Sequence, residues 1–420
     1  MKVVKLNSAQ FDKFAASHRY RNYFQSSMYA NVMVKFGYHA KYLGIVNEQN
    51  KLIGASLIIY KEVFMGNKIA YAPRGLLFNY EDEDMVKEAT SNLKKVLGKQ
   101  GFMFLRIDPY IPLTIRDSEG NIMNFNNKGN AIIENLKKAG FSYKGKTLEF
   151  ETEKPRWEAL VLLQRDIREV FAKLDKRTRN KIRRATNSGI EIVKDKNRNV
   201  NQLYNFVGKK DKKPLSYYKT ICSKFEDSVE IYYAKLNTET FLINSRRSYE
   251  KEMEYNDSLA SRVQDMSLEP KDRNVYLNKK MESDKLITAY KNSLLTSTEL
   301  LKTNPDGLII AGAMIIKYDN AAFLFTEGID EEYGYLNASS LLKWELINDY
   351  NTQGLKYLNL CTTTGCSLAN LSEISFLKGE NDNSNTDDII LIELDCIGTN
   401  VSTRKVNTSN TYEVYNNGLV

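Results

Sequence analysis

The sequence predicts an α/β chain of two similarly planned units, the second interrupted by a helical hairpin. Three observations carry this. Residues 22–140 alternate between helical and strand-like hydrophobic patterns. The plan returns after Pro155. A charged, glycine-free stretch, 246–303, separates two strand-like runs of the second unit. The chain's 420 residues exceed a typical single domain, and a 42% hydrophobic composition with 26 Tyr and 18 Phe suffices for sizeable cores.

In the first unit, Phe24, Met28, Val32 and Phe36 recur at helical spacing and predict a helix over 22–36. Tyr42 to Val46 and Leu52 to Tyr60, split by Asn47-Glu48-Gln49-Asn50, read as a hairpin. A strand at Lys68 to Ala72, a helix at about 82–99 and a buried strand at Phe102 to Ile107 follow, then a helix over 129–139 stopped by Gly140. The second unit reads as helix 166–187, strand Glu191 to Val193 and helices 198–207 and 214–225. Strands Val229 to Leu236 and Leu308 to Tyr318 should pair, followed by strand Ala322 to Thr326, helix Ala338 to Thr352 and strand Tyr357 to Leu360. In the insertion, Leu259, Val263 and Met266 mark one helix and Leu277, Met281, Leu286, Tyr290 and Leu294 the other, with a tip near Ser267 to Lys271. The thin apolar stripe fits a projecting antiparallel coiled coil, and a bland charged insertion is the alternative.

The formal net charge of +8 favours polyanionic partners: tRNA, phosphate-bearing substrates or an anionic membrane surface. With only His18 and His39, a three-His zinc site is impossible, and neither histidine supports a nucleophile-elbow triad. Cys222, Cys361, Cys366 and Cys396 match no zinc or redox spacing, which predicts a reduced cytosolic chain. The first residues lack the apolar core of a signal peptide, and the best apolar run, Leu52 to Tyr60, is too short to span a bilayer.

The sharpest local feature is the run Lys176-Arg177-Thr178-Arg179-Asn180-Lys181-Ile182-Arg183-Arg184, six basic residues in nine with no acid. On a helix, Arg177, Lys181 and Arg184 share a face, a stripe suited to phosphate oxygens. Alone, such a run reads more readily as a solvated helix face. Its surroundings add weight. Leu174 to Ala185 followed by Gly189-Ile190-Glu191-Ile192, and upstream Phe24 to Ala30 with Lys35 and Gly37-Tyr38, form two blocks. Ala70-Tyr71-Ala72-Pro73-Arg74-Gly75-Leu76, Leu105-Arg106-Ile107-Asp108-Pro109 and Asn337 to Glu345 form three more. In this order, from about residue 20 to 395, they resemble the FemXAB family of tRNA-dependent, non-ribosomal aminoacyltransferases that build peptidoglycan bridges.

The resemblance implies two domains, each like a GNAT acyltransferase: residues 1–150 with about 388–420, and residues 151–387 carrying the arm 246–303. It implies transfer of an amino acid from aminoacyl-tRNA, the co-substrate, to the amine of the third stem-peptide residue of a precursor, lipid II or UDP-MurNAc-pentapeptide. No metal or diffusible cofactor is expected. Lys35 and Lys213 fall at phosphate-clamping positions, Tyr217 at a substrate contact, Lys378 at the oxyanion position and Glu393 on a late acidic position. Asp108 has two readings: a base, or a structural carboxylate pairing with Arg106 or a turn amide. The basic residues Lys176, Arg177, Arg179, Lys181, Arg183 and Arg184 would meet tRNA. The expected setting is the cytoplasm, at the inner membrane surface if the acceptor is lipid-linked, and the arm offers a surface for a homodimer. Two competing functions are an acyl-CoA N-acyltransferase, for which no glycine-rich pyrophosphate turn follows a strand here, and a non-catalytic precursor- or tRNA-binding protein.

Overall fold

The computed structural model describes residues 1–116, 122–143, 157–163, 166–208, 213–362, 384–388 and 392–395. The first half opens with β1 (Lys2–Lys5), α1 (Ser8–Ser17), α2 (Ser27–Lys35), β2 (His39–Val46), β3 (Leu52–Glu62) and β4 (Lys68–Ala72). It continues through α3 (Glu83–Gly98), β5 (Phe102–Ile107), β6 (Thr114–Arg116), β7 (Ile122–Phe125), α4 (Asn127–Lys138) and β8 (Phe141–Tyr143). The second half holds β9 (Trp157–Leu162), α5 (Ile167–Lys173), α6 (Lys176–Asn187), β10 (Ile190–Lys194), α7 (Val200–Val207), α8 (Leu215–Phe225) and β11 (Val229–Leu236). After the arm helices α9 (Thr238–Gln264) and α10 (Pro270–Thr303) come β12 (Leu308–Tyr318), β13 (Ala321–Ile329), α11 (Ala338–Thr352), β14 (Tyr357–Thr362), β15 (Ser384–Asp388) and β16 (Ile392–Asp395).

Two mixed sheets repeat one plan. The first runs β1-β2-β3-β4-β5-β16-β8 and the second β10-β11-β12-β13-β14-β9-β15. Each begins with four antiparallel strands and then makes a single parallel step, β4 to β5 in one and β13 to β14 in the other. Strand β16 slots between β5 and β8, so the chain returns to the first sheet. In β3, Leu57, Ile58 and Ile59 are all buried, because helices cover one face and a second core covers the other; a continuous apolar run is the sequence form of such a strand.

Local chemistry sets the boundaries. Ser26 Oγ accepts from the Tyr29 amide and starts α2, which ends before Gly37, at φ 79°. The helix therefore begins at Ser27 and not at residue 22, since Asn22 turns back to accept from the Phe24 amide. The long helix expected over 166–187 is two: the Asp175 carboxylate accepts from the Thr178 amide at 2.8 Å, capping a new helix and breaking the old one.

The insertion is an antiparallel pair of helices, and it starts earlier than expected, at Thr238. Its seam differs from the expected stripe. Leu259 is buried, but Leu277, Met281 and Leu286 are exposed. Tyr290 and Leu294 face inward as expected, and the other inward positions of α10 are Tyr276, Lys280, Ser283, Ile287 and Ser297. Much of the seam is polar and satisfied: Ser283 donates to Glu252 at 2.6 Å and Asn256 to Asp284 at 2.8 Å.

The two halves share one apolar core. Tyr23 and Phe24 from the first lie in it with Phe225 and Phe323 from the second, and the Tyr23 and Phe323 rings are 5.0 Å apart. Interfaces between mobile domains are usually smaller and more polar. Here the junction is built like an interior.

Candidate active site at the junction of the two halves

Helices α2 and α8 pack across the junction, and three of the sequence-predicted residues gather there. Lys35 sits exposed in the last turn of α2, where a cation also faces the negative end of the helix dipole. The next residue, Phe36, lies with its ring 5.4 Å from that of Tyr217 in α8. Tyr217 is buried and is also stacked 6.2 Å from Phe325 of β13. Lys213, just before α8, holds its ammonium 5.0 Å from the Tyr217 ring centre. Tyr204 fixes the approach by donating to the Lys213 carbonyl at 3.2 Å. The result is an aromatic floor with the Lys213 ammonium against it, and Lys35 exposed at the end of α2, one residue before Phe36.

Asp108, at the end of β5, is 3% exposed and sits in a second constellation. It accepts from the Tyr71 hydroxyl at 2.8 Å, the Arg74 amide at 2.6 Å and Arg74 Nη1 at 3.3 Å. Arg74 Nη2 then crosses to Glu158 of β9 at 2.8 Å. Glu158 also accepts from Tyr110 at 3.0 Å and from Asn359 of β14 at 2.6 Å. Burial alone would lower the Arg74 pKa, but the carboxylates of Glu158 and Asp108 raise it. Burial and the neighbouring Asp108 push the Tyr71 hydroxyl well above its ordinary value, keeping it a donor. The partner of Asp108 is thus Arg74, through both side chain and amide, and the arrangement ties the first sheet to the second. Arg74 takes φ 52°, a left-handed conformation uncommon outside glycine, and its three buried contacts hold it there. Sequence reasoning missed Arg74, Glu158 and Asn359; the only signal was Arg74 inside one quoted block.

Of the remaining candidates, Glu393 lies on β16 in register with Arg106 of β5. Lys378 lies outside the described residues.

The basic helix α6 borders a separate groove. Lys176, Arg177, Asn180, Lys181 and Arg184 line a cavity of about 540 Å³ together with Tyr335 and Asn337. A contiguous cavity of about 370 Å³ shares Lys181 and Asn337 and is lined also by Thr178, Asp330, Tyr333, Ser339, Ser340 and Lys343. Arg179 and Arg183 turn the other way: Arg179 donates to the Ala172 carbonyl of α5 at 3.0 Å, and Arg183 lies over the Phe171 ring at 5.6 Å. Neither cavity reaches Lys35, Lys213 or Tyr217.

With this geometry in place, comparison with known proteins is decisive. The FemAB family model matches residues 6–366. The chain belongs to the FemAB family. Among curated FemAB relatives, the lipid II:glycine glycyltransferase of Staphylococcus epidermidis is 21% identical over 344 residues, covering 79% of this chain and 77% of the relative. The aminoacyltransferase FemA of the same species is 22% identical over 383 residues, covering 87% and 88%. The crystal structure of FemX superposes with a TM-score of 0.67 at 15% identity, covering 94% of this chain and 97% of FemX, so the mixed α/β fold is held in common. This FemAB chain is a transferase. No helix among its described residues is long and apolar enough to cross a membrane.

Proposed function

We propose that this protein transfers an amino acid from aminoacyl-tRNA to the amine of the third stem-peptide residue of a peptidoglycan precursor. The observation that carries the proposal is the family match across residues 6–366 to transferases, one of them named for lipid II and glycine. The gathering of Lys35, Lys213 and Tyr217 where the two halves meet supports it, because the precursor carries phosphates that need fixed cations.

The chemistry asks little of the protein. An aminoacyl ester is already activated, so no covalent enzyme intermediate is needed. The attacking amine, with an ordinary pKa of about 10.4, loses its proton, attacks the ester carbonyl and forms a tetrahedral oxyanion. The intermediate collapses with release of the tRNA hydroxyl, leaving a new amide. In this reading Lys35 and Lys213 hold precursor phosphate, Tyr217 packs against its sugar or peptide, and Lys378 neutralises the oxyanion. Asp108, sealed against Arg74, holds the junction that carries these residues. The basic face of α6 receives the tRNA. Each half is read as GNAT-like, and the arm as an antiparallel coiled coil, a reading supported by the three- and four-residue spacing of its inward positions. A lipid-linked acceptor would bring the protein to the inner membrane surface.

Steady-state transfer from glycyl-tRNA to a lipid-linked muropeptide tests the assignment. Lys35→Ala and Lys213→Ala are each expected to raise the precursor KM by about 10–100-fold, the loss of one charge-assisted contact. Lys378→Ala is expected to lower kcat by about 10²–10³-fold. Wild-type-like kinetics in all three variants would refute the roles given to these lysines.

A further inference from the structure

We infer that the tip joining β3 to β4, residues 63–67, docks on an anionic lipid bilayer, with Val63 and Met65 inserted between the headgroups and Lys41, Lys61, Lys68 and Lys99 against their phosphates. The inference rests on the proposed reaction with a lipid-linked acceptor and names the surface that would meet the bilayer.

The tip holds apolar side chains in water. Met65 is 81% exposed and Val63 37%. Met103 of β5, 36% exposed, stands beside the Lys68–Ile69 step of β4. Single exposed apolar residues need no explanation, but a group at one tip does. Met65 also takes φ 55°, a left-handed conformation that Gly or Asn adopts at lower cost. The second sheet shows what the shared plan needs at this point. Its equivalent strands, β12 and β13, are joined by Asp319 and Asn320 alone, and Asp319 accepts from Arg21 at 2.6 Å. The first sheet has Val63-Phe64-Met65-Gly66-Asn67 instead. The fold itself therefore asks for neither the length nor the apolar character of this tip.

Cations surround it. Segments 34–41, 61–68 and 99–103 meet at this end of the first sheet: His39 lies opposite Tyr60, Lys68 lies opposite Phe102, and the Lys68 amide donates to the Gly101 carbonyl at 2.8 Å. These segments carry Lys35, Lys41, Lys61, Lys68 and Lys99 against one acid, Glu62. Glu62 is 57% exposed and 3.7 Å from Lys68, a pair that water screens. Lys61 Nζ stands 4.0 Å from the Tyr38 ring centre, and Lys41 Nζ 5.1 Å from that of Phe102. Burial, and then the charges of Lys68 and Lys5, lower the Lys41 pKa, a sign of how closely the cations are gathered. Lysines with stems on apolar surface and ammoniums toward water suit the headgroup layer.

Both features together select the partner. A nucleic acid would use the lysines and leave Met65 in water. A protein groove would bury Met65 without needing the lysines. A bilayer with anionic headgroups uses both. The orientation also fits. Tyr38, under Lys61, follows Lys35 by one short turn through Gly37, at φ 79°. Docking on this tip turns the Lys35 end of α2 toward the bilayer, where the phosphates of a lipid-linked acceptor lie.

The test sediments the full chain with sucrose-loaded vesicles of phosphatidylcholine, with or without phosphatidylglycerol. The wild type is expected to bind the anionic vesicles roughly tenfold or more tightly than the neutral ones, and less tightly as salt rises. Met65→Asp should weaken that binding about tenfold or more. Lys61→Ala and Lys99→Ala should each weaken it about fivefold. Leu277→Asp, at an exposed apolar position of the arm, should leave it unchanged. Equal binding to the two vesicles, binding to neither, binding indifferent to Met65→Asp and Lys99→Ala, or an equal loss in Leu277→Asp would each overturn the assignment. Transfer is measured in parallel on a lipid-linked acceptor held in anionic vesicles or in detergent micelles. Met65→Asp should lower transfer in vesicles about tenfold, in step with binding, and leave transfer in micelles unchanged. Vesicle transfer indifferent to Met65→Asp removes the docking surface and leaves the proposed function intact. Tip-dependent vesicle binding with no transfer in either setting removes the function and leaves the surface.

Discussion

At the residue scale, the most consequential side chain is one that touches no proposed substrate. Arg74 is almost completely buried and bridges Asp108 of the first half to Glu158 of the second at 2.8 Å. Removing it strands two buried carboxylates, so Arg74→Ala should destabilise the protein by about 3–5 kcal/mol in urea unfolding. A loss under about 1 kcal/mol would show the pair to be dispensable. The pairing of Asp108 with a turn amide was legible in the sequence, as the Arg74 amide shows; the link to Glu158 and Asn359 was not, because Arg74 and Glu158 are 84 residues apart and Asn359 is 201 residues beyond Glu158. Lys35, Lys213 and Tyr217 were legible only because the blocks around them resemble a family; no periodicity or spacing pointed to them.

Two other side chains should contribute to the acid sensitivity. Burial, with the charge of Arg19 beside it, lowers His18 to about 4 against a Phe78 backbone hydrogen bond that raises it. Burial alone would raise Glu230, but hydrogen bonds from Lys317, Lys194, Tyr232 and Tyr350 bring it down to about 2. For His18 the unfolded chain binds more protons between its ordinary value of 6.5 and about 4, so stability falls as pH drops through that window. For Glu230 the stabilisation is complete above its ordinary 4.5 and is lost as pH falls toward about 2. Thermal melts from pH 7 to 2.5 should therefore decline in two stages. His18→Gln should flatten the first stage and Glu230→Gln the second; an unchanged pH profile in both variants would contradict this reading.

At the element scale, boundaries were legible where turn chemistry is strong. Strands β4, β11 and β12 and helix α11 occupy the expected residues; β12, for instance, is bracketed by Gly307 and Asp319, both at positive φ. The expectation failed where one side chain competes with a good periodic pattern, as Asp175 does inside an otherwise continuous helical stretch. It failed again in the arm, where Ser283 pairs with Glu252 and Asn256 with Asp284 along the seam, and apolar residues such as Leu277 are left outside. A seam of polar side chains carries little hydrophobic periodicity for the eye to follow. The observed register predicts unequal effects of two equal truncations. Leu259→Ala, at a buried position, should cost about 2–5 kcal/mol, while Leu277→Ala, 42% exposed, should stay within about 0.5 kcal/mol. The reverse order in chemical denaturation would contradict the register.

At the scale of the whole molecule, two sheets of one plan, each with apolar packing of its own, are joined by one shared apolar core and a buried ion network, so the junction is built as an interior. The repeat was legible because helix and strand patterns recur in the same order in both halves. The junction was not, because aromatics such as Tyr23, Phe225 and Phe323 look alike whether they fill one half or join two. A rigid junction matters for the proposed reaction, which joins two large substrates: lysines from separate halves act on one precursor only if the halves hold a fixed relation. The most direct test is transfer of radiolabel from a total charged-tRNA pool to lipid-linked and nucleotide-linked muropeptides, with and without RNase. The account predicts label in muropeptide that disappears with RNase, and the labelled amino acid identifies the donor. A folded protein that labels neither acceptor would contradict it.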